Sequence, residues 1–198
     1  MKKLKLLSIF ASVMMLSVVF VLYACSTNSN ELAPETSKNT AKHNNKSVER
    51  AWMVIVSESS FGGGELTPTC DCSTWLCQAK GYCMNGKTCA CSCGFWNGCS
   101  CTPCARSIEN VPNRKIAIRG DQRQKAIELE AYLLTRNNTN LNQVSQLLTD
   151  MRVGLENENI DTYLDATEAL SALEPVVSQQ EKSVIQQWFN DNNISIVI

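Results

Sequence analysis

Ten of the eleven cysteines crowd into residues 70–104, at positions 70, 72, 77, 83, 89, 91, 93, 99, 101 and 104. This density is far above what a packed hydrophobic core uses. A 35-residue unit also buries too little apolar surface to stabilise itself unaided, so its cysteines must supply cross-links or metal bonds. Three chemistries compete for them. The first is a disulfide module: the count is even, and each bridge contributes about 2–4 kcal/mol by restricting the unfolded chain. Pairing cannot be deduced, because ten cysteines allow about 945 connectivities. The second is a thiolate cluster holding Cu(I) or Zn(II) through Cys70, Cys72, Cys77, Cys83, Cys89, Cys91, Cys93, Cys99, Cys101 and Cys104, whose Cys-x-Cys spacings look like those of metallothioneins. The third is redox chemistry at Cys101-Thr102-Pro103-Cys104, spaced like a thioredoxin-type site but without the βαβ frame of that family.

An internal echo runs through the segment. Cys70-Asp-Cys72-Ser-Thr-Trp75-Leu-Cys77 parallels Cys91-Ser-Cys93-Gly-Phe-Trp96-Asn-Gly-Cys99, which reads as a duplicated loop. The interleaved rings Trp75, Tyr82, Phe95 and Trp96 favour a packed, disulfide-bonded unit over a metal cluster, since metallothionein-like sequences are aromatic-poor. Two roles suit Trp75, Phe95 and Trp96: a miniature core covering the bridges, or exposed anchors for a glycan or protein partner.

The N-terminus indicates the compartment. Lys2, Lys3 and Lys5 precede a stretch from Leu6 to Leu22 that is apolar except for Ser8, Ser12 and Ser17. A charged start, an apolar core and a small-residue exit make an export signal. An uncleaved anchor is the rival, the stretch being near the ~18-residue spanning length. The exit Leu22-Tyr23-Ala24-Cys25 resembles the lipobox of bacterial lipoproteins. That resemblance covers only residues 1–25. It implies cleavage before Cys25, lipidation of Cys25 and, with Ser26 next, anchoring at the bacterial outer membrane on its periplasmic or outward face. An exported chain meets oxidising conditions, which also favours disulfides.

Residues 25–50 are polar and without apolar periodicity, and read as a disordered tether behind the lipidated cysteine. Ala51-Trp52-Met53-Val54-Ile55-Val56 is a short apolar run that reads as a strand within 51–69, ahead of the breaker Gly62-Gly63-Gly64. Residues 105–120 form a connector in which Ile116 and Ile118 suit a second short strand.

From 121 to 198 the period is helical. Asp121 with Gln124 is expected to start the first helix, with Ile127, Ala131 and Leu134 inward. Asn140 is expected to cap the second, which buries Leu141, Val144, Leu147, Leu148, Met151 and Leu155. A third runs from about Asp161, with Leu164, Thr167, Leu170 and Leu173 inward, and Pro175 ends it. Ser178 and Glu181 form a capping box for a fourth that buries Val184, Ile185, Trp188 and Phe189. Short polar joints at Asn137-Asn138 and Glu158-Asn159 link neighbours. Ile194 to Ile198 alternates like a strand and is expected to pair with the run Ala51 to Val56. The expected fold is thus a small disulfide-rich module plus an all-α helical bundle, with a short terminal β-strand pair.

Without Lys2, Lys3 and Lys5 the chain carries 15 basic and 19 acidic residues, a net charge of −4. A nucleic-acid partner would need a basic patch, which is lacking. The helical part has neither His nor Cys, and its acid pairs, Glu128 with Glu130 and Asp161 with Asp165, read as solvated faces. No catalytic residue and no cofactor are indicated. The expectation is a non-enzymatic envelope component whose partners are the membrane, through Cys25, and an envelope protein or glycan. If the ten clustered cysteines are bridged, intact mass without reductant should fall about ten hydrogens below the reduced mass, two per disulfide. Free thiols accompanied by bound copper or zinc would favour the thiolate cluster instead.

Overall fold

The computed structural model describes residues 50, 53–61, 68–83, 87–104 and 113–198. The signal, Cys25 and the tether up to residue 49 lie outside the described residues, as does the Gly62–Gly64 breaker. What is described belongs to one unit, residues 41–198.

Six short strands come first: β1 Met53–Ile55, β2 Cys70–Ser73, β3 Cys77–Gly81, β4 Cys91–Gly94, β5 Gly98–Cys101 and β6 Arg114–Ile118. Four helices follow: α1 Arg123–Leu134, α2 Thr139–Glu156, α3 Ile160–Leu173 and α4 Gln179–Asp191. The fold therefore combines a cysteine-rich strand region and four helices with a mixed sheet. That sheet has the order β1-β6-β3-β2, and the β4–β5 hairpin stands apart from it. β6 lies parallel to β1, with Met53 opposite Arg114 and Ile55 opposite Ile116, and antiparallel to β3, with Ala79 opposite Ile116.

Here the expected terminal strand pair fails. The partner of β1 is β6, from the connector. Ile194 to Ile198 makes no strand, although its alternation is real: Ile194, Ile196 and Ile198 are half-buried against the core and Val197 is 89% exposed. A side chain takes the place of a strand partner. The Gln186 carboxamide donates to the Ile196 carbonyl and accepts from the Ile198 amide. Bonding the tail from α4 in this way satisfies its backbone locally.

The helices form where the apolar period lies, but two starts and the faces of α1 and α3 differ from the sequence reading, Leu164 and Thr167 being only half-buried. Asp121 does not cap α1, because its carboxylate is already engaged by the side chains of Arg119 and Gln122. Residues Gly120–Gln122 make a 3₁₀ turn there instead. α1 then buries Ala126, Leu129, Glu130 and Leu133, while Leu134 is 56% exposed. The face is rotated from the expected one because Glu130 is inside. Its two oxygens accept from the Arg152 guanidinium at 2.8 and 2.9 Å, and Thr149 donates to the same carboxylate. Apolar periodicity counts such a paired acid as solvent-facing, so Glu130 is not on a solvated face. The cap of α2 is Asn138, which accepts from the Leu141 amide. Asn140 reaches across to Glu181 at the start of α4. The Ser178–Glu181 capping box is present, and the Ser178 hydroxyl and amide hold the Glu181 carboxyl below its ordinary range.

α3 buries Tyr163, Ala166, Leu170 and Leu173. Tyr163 was not among the expected inward residues, yet it ties the two parts of the fold together. Its hydroxyl accepts from the Cys99 amide at 2.6 Å and donates to the Cys99 carbonyl at 3.0 Å. Burial pushes its phenol up to about 12. Two glycines make room for it. Gly98, at φ +56°, would put a Cβ 2.6 Å from the Tyr163 hydroxyl, and Gly154 would put one 2.7 Å from the Tyr163 amide.

Tyr163→Phe should leave the Cys99 amide buried without an acceptor and lower stability by about 1–3 kcal/mol, measurable as a reduced urea midpoint. In the native protein a phenol raised from 10.0 to about 12 keeps its full stabilising contribution below pH 10 and loses it as pH rises toward 12. Tyr163→Phe should lack that alkaline loss.

Candidate functional site

The ten clustered cysteines form five bridges: Cys70–Cys89, Cys72–Cys93, Cys77–Cys99, Cys83–Cys104 and Cys91–Cys101. The echo explains part of this pattern. Each copy folds as a hairpin, β2–β3 or β4–β5, with its tryptophan in the connecting turn. Cys72–Cys93 and Cys77–Cys99 join positions that the echo makes equivalent. Close neighbours such as Cys70 and Cys72 bridge to different partners, as expected for strand residues. Cys101 and Cys104 do not pair with each other, so the Cys-x-x-Cys spacing does not form a bridge in this structure.

Two sulfur triads stand out. The sulfurs of Cys70, Cys91 and Cys101 lie within 4.8 Å of one another, and so do those of Cys83, Cys89 and Cys104. These are the sets that could hold a soft metal. Each sulfur is engaged in a bridge here, and only a thiolate acts as a metal ligand.

Trp75, Phe95 and Trp96 are 4, 2 and 5% exposed, so they belong to the core rather than to a surface platform. The Phe189 ring of α4 sits among them. It meets Trp75 edge-on at 5.3 Å and Phe95 at 5.8 Å, while Phe95 meets Trp96 at 4.8 Å. Such offset and edge contacts add about 0.5–1.5 kcal/mol per pair beyond burial. Lys182 lies over the Trp96 ring at 5.2 Å.

One surface feature suited to a ligand is not indicated by the sequence. A cleft of about 610 Å³ opens between β5 and α3, with β1 and Arg50 at its margin. Ser100 and Thr102 line the strand side, Thr167, Glu168 and Ser171 the helix side, and Asn97 the hairpin turn. Arg114 contributes from β6. It is 2% exposed and donates to the Cys101 carbonyl at 2.8 Å. Arg50 donates to Asp161 and Asp165, which raises its guanidinium pKa and fixes it over the first turns of α3. Some lining groups are already bonded: Ser171 donates to Asn97 at 3.1 Å, and Thr167 to the Tyr163 carbonyl at 2.7 Å. Glu168 is the one carboxylate among the described residues lining the cleft. The arrangement therefore offers hydroxyl, amide and guanidinium hydrogen bonds, not a paired-acid reaction centre. Its residues come from a turn, three strands and a helix, so no spacing in the chain marks them.

Comparison with protein-family models, with curated proteins and with solved structures found no match to this chain.

The module is packed tightly around its bridges. A Cβ at Gly81 would lie 2.6 Å from both Cys70 Sγ and Cys89 Sγ. Gly81→Ala should force that bridge off β3 and destabilise the protein by about 1–3 kcal/mol, the usual cost of overpacking, read as a lower denaturation midpoint under non-reducing conditions. An unchanged midpoint would show that the bridge does not rest on Gly81.

Proposed function

We propose that this chain is a lipid-anchored lipoprotein of the bacterial envelope whose disulfide-bonded ectodomain acts as a non-enzymatic binding module. The observation carrying this reading is the complete pairing of the ten clustered cysteines. Bridges of this density persist in oxidising compartments, and the N-terminal signal with Cys25 leads to such a compartment. Anchoring through acyl chains on Cys25 would hold the domain at the outer membrane by buried CH₂ groups, about 0.8 kcal/mol each. Among the described residues no helix is long and apolar enough to cross a membrane.

The cleft between β5 and α3 is the ligand site in this reading. Its lining sets hydroxyl and amide groups beside the apolar side chains of Met53, Leu164 and Ala172, which suits a ligand with both hydrogen-bonding and apolar faces, such as a glycan or an extended stretch of an envelope protein. The four helices serve as the scaffold that holds one wall of the cleft against the disulfide-bonded hairpins.

Cells expressing the full chain and fed an alkyne-bearing fatty acid should label it, and the labelled protein should fractionate with membranes. Cys25→Ser should abolish the label and the processing at that site. Label retained by Cys25→Ser, or absent from the unaltered chain, would overturn the lipoprotein reading.

A further inference from the structure

Six of the cysteine sulfurs form a continuous row, not three isolated bridges. Cys91 Sγ lies 3.1 Å from Cys70 Sγ, although the two belong to different bridges. Cys101 completes one triad with them, Cys83, Cys89 and Cys104 make the other, and the Cys70–Cys89 bridge joins the triads. Cys101 belongs to one triad and Cys104 to the other, and the two are three residues apart in the chain.

We propose that this row is a thiol–disulfide exchange site holding two fully oxidised pairings. One is the observed set, Cys70–Cys89, Cys91–Cys101 and Cys83–Cys104. The other is Cys70–Cys91, Cys83–Cys89 and Cys101–Cys104. The co-reactant is a small thiol, used catalytically. Its thiolate attacks Cys89, which is half-buried between exposed Thr88 and Ala90, forming a mixed disulfide and expelling the Cys70 thiolate. Cys70 attacks Cys91 and expels Cys101. Cys101 attacks Cys104 and expels Cys83. Cys83 then attacks Cys89 and releases the small thiol unchanged. Each step makes one sulfur–sulfur bond and breaks one, the leaving sulfur carries away the electron pair, and no net oxidation occurs.

The second pairing has a functional consequence. It places a Cys101–Cys104 bridge in a surface loop whose middle residues, Thr102 and Pro103, are exposed. In the observed pairing both of these sulfurs are bridged to partners elsewhere in the module, and Cys101 and Cys104 are 4 and 6% exposed. The exchange thus interconverts a closed module and one presenting a Cys-x-x-Cys disulfide to thiols outside it. The proposal does not depend on the lipid anchor.

The test is the exported full chain carrying C83S and C89S, refolded with reduced and oxidised glutathione. These substitutions remove the observed partners of Cys104 and Cys70. Exchange predicts that Cys70 captures Cys91, and that Cys101 and Cys104 then close while oxidised glutathione is reduced to two thiols. Peptide mapping should find Cys70–Cys91 and Cys101–Cys104, with no alkylatable thiol among the clustered cysteines. Retention of Cys91–Cys101, with Cys70 and Cys104 alkylated, glutathionylated or joined to each other, would overturn the proposal. A second measurement covers failure of the variant to fold. The unaltered chain, incubated with catalytic glutathione and quenched in acid, should show Cys83 linked both to Cys104 and to Cys89. Linkage to Cys104 alone, or to any cysteine outside the row, would refute it.

Discussion

The joint between β5 and α3 organises the rest of the molecule. A phenol that is fully buried must find partners for its hydroxyl, and Tyr163 finds them in the amide and carbonyl of a single strand residue, Cys99. The same cysteine is covalently joined to Cys77 of β3. One side chain from a helix is thereby tied to both hairpins of the cysteine-rich region. Gly98 permits the approach, because its positive φ and missing Cβ leave room where any other residue would collide with the hydroxyl. The helices and the disulfide-bonded hairpins consequently share one core.

That shared core resolves a difficulty of scale. Bridges restrict the unfolded chain but add little buried apolar area of their own, and the hairpins are too small to enclose Trp75, Phe95 and Trp96 unaided. Phe189 and Trp188 from α4 complete the enclosure, with ring centroids 5.2 Å apart. The aromatic residues most attractive as ligand anchors are thus used internally. A ligand can use the cleft between β5 and α3, where Ser100, Thr102, Thr167 and Glu168 stand beside Met53, Leu164 and Ala172.

Charge plays a secondary part. The Arg152–Glu130 pair is nearly enclosed, and Glu130 and Glu156 together raise the guanidinium pKa of Arg152. Desolvation offsets much of what such a pair gains, so its clearest effect is to fix the rotation of α1 against α2. Arg50 does something similar at the margin of the cleft, where it pairs with Asp161 and Asp165 in the first turns of α3.

Features set by neighbours along the chain were legible in the sequence. The capping box at Ser178 and Glu181, the apolar stripe of α2, the strand around Met53 and the disulfide character of the cysteine segment all depend on residues a few positions apart. The repeated Cys-x-Cys…Trp pattern, legible as a duplicated loop, corresponds to two like hairpins. The tertiary structure decided whatever depends on partners distant in the chain. Glu130 is inside because Arg152, 22 residues on, meets it there. Met53–Ile55 pairs with Arg114–Ile118, while Gln186 serves the backbone of Ile196 and Ile198. The cleft exists only where β5, β6 and α3 converge. The bridges follow the same rule: cysteine spacing limits which sulfurs can meet, but the stacking of one hairpin on the other selects which of them do, since a disulfide forms only between side chains the fold has already brought together.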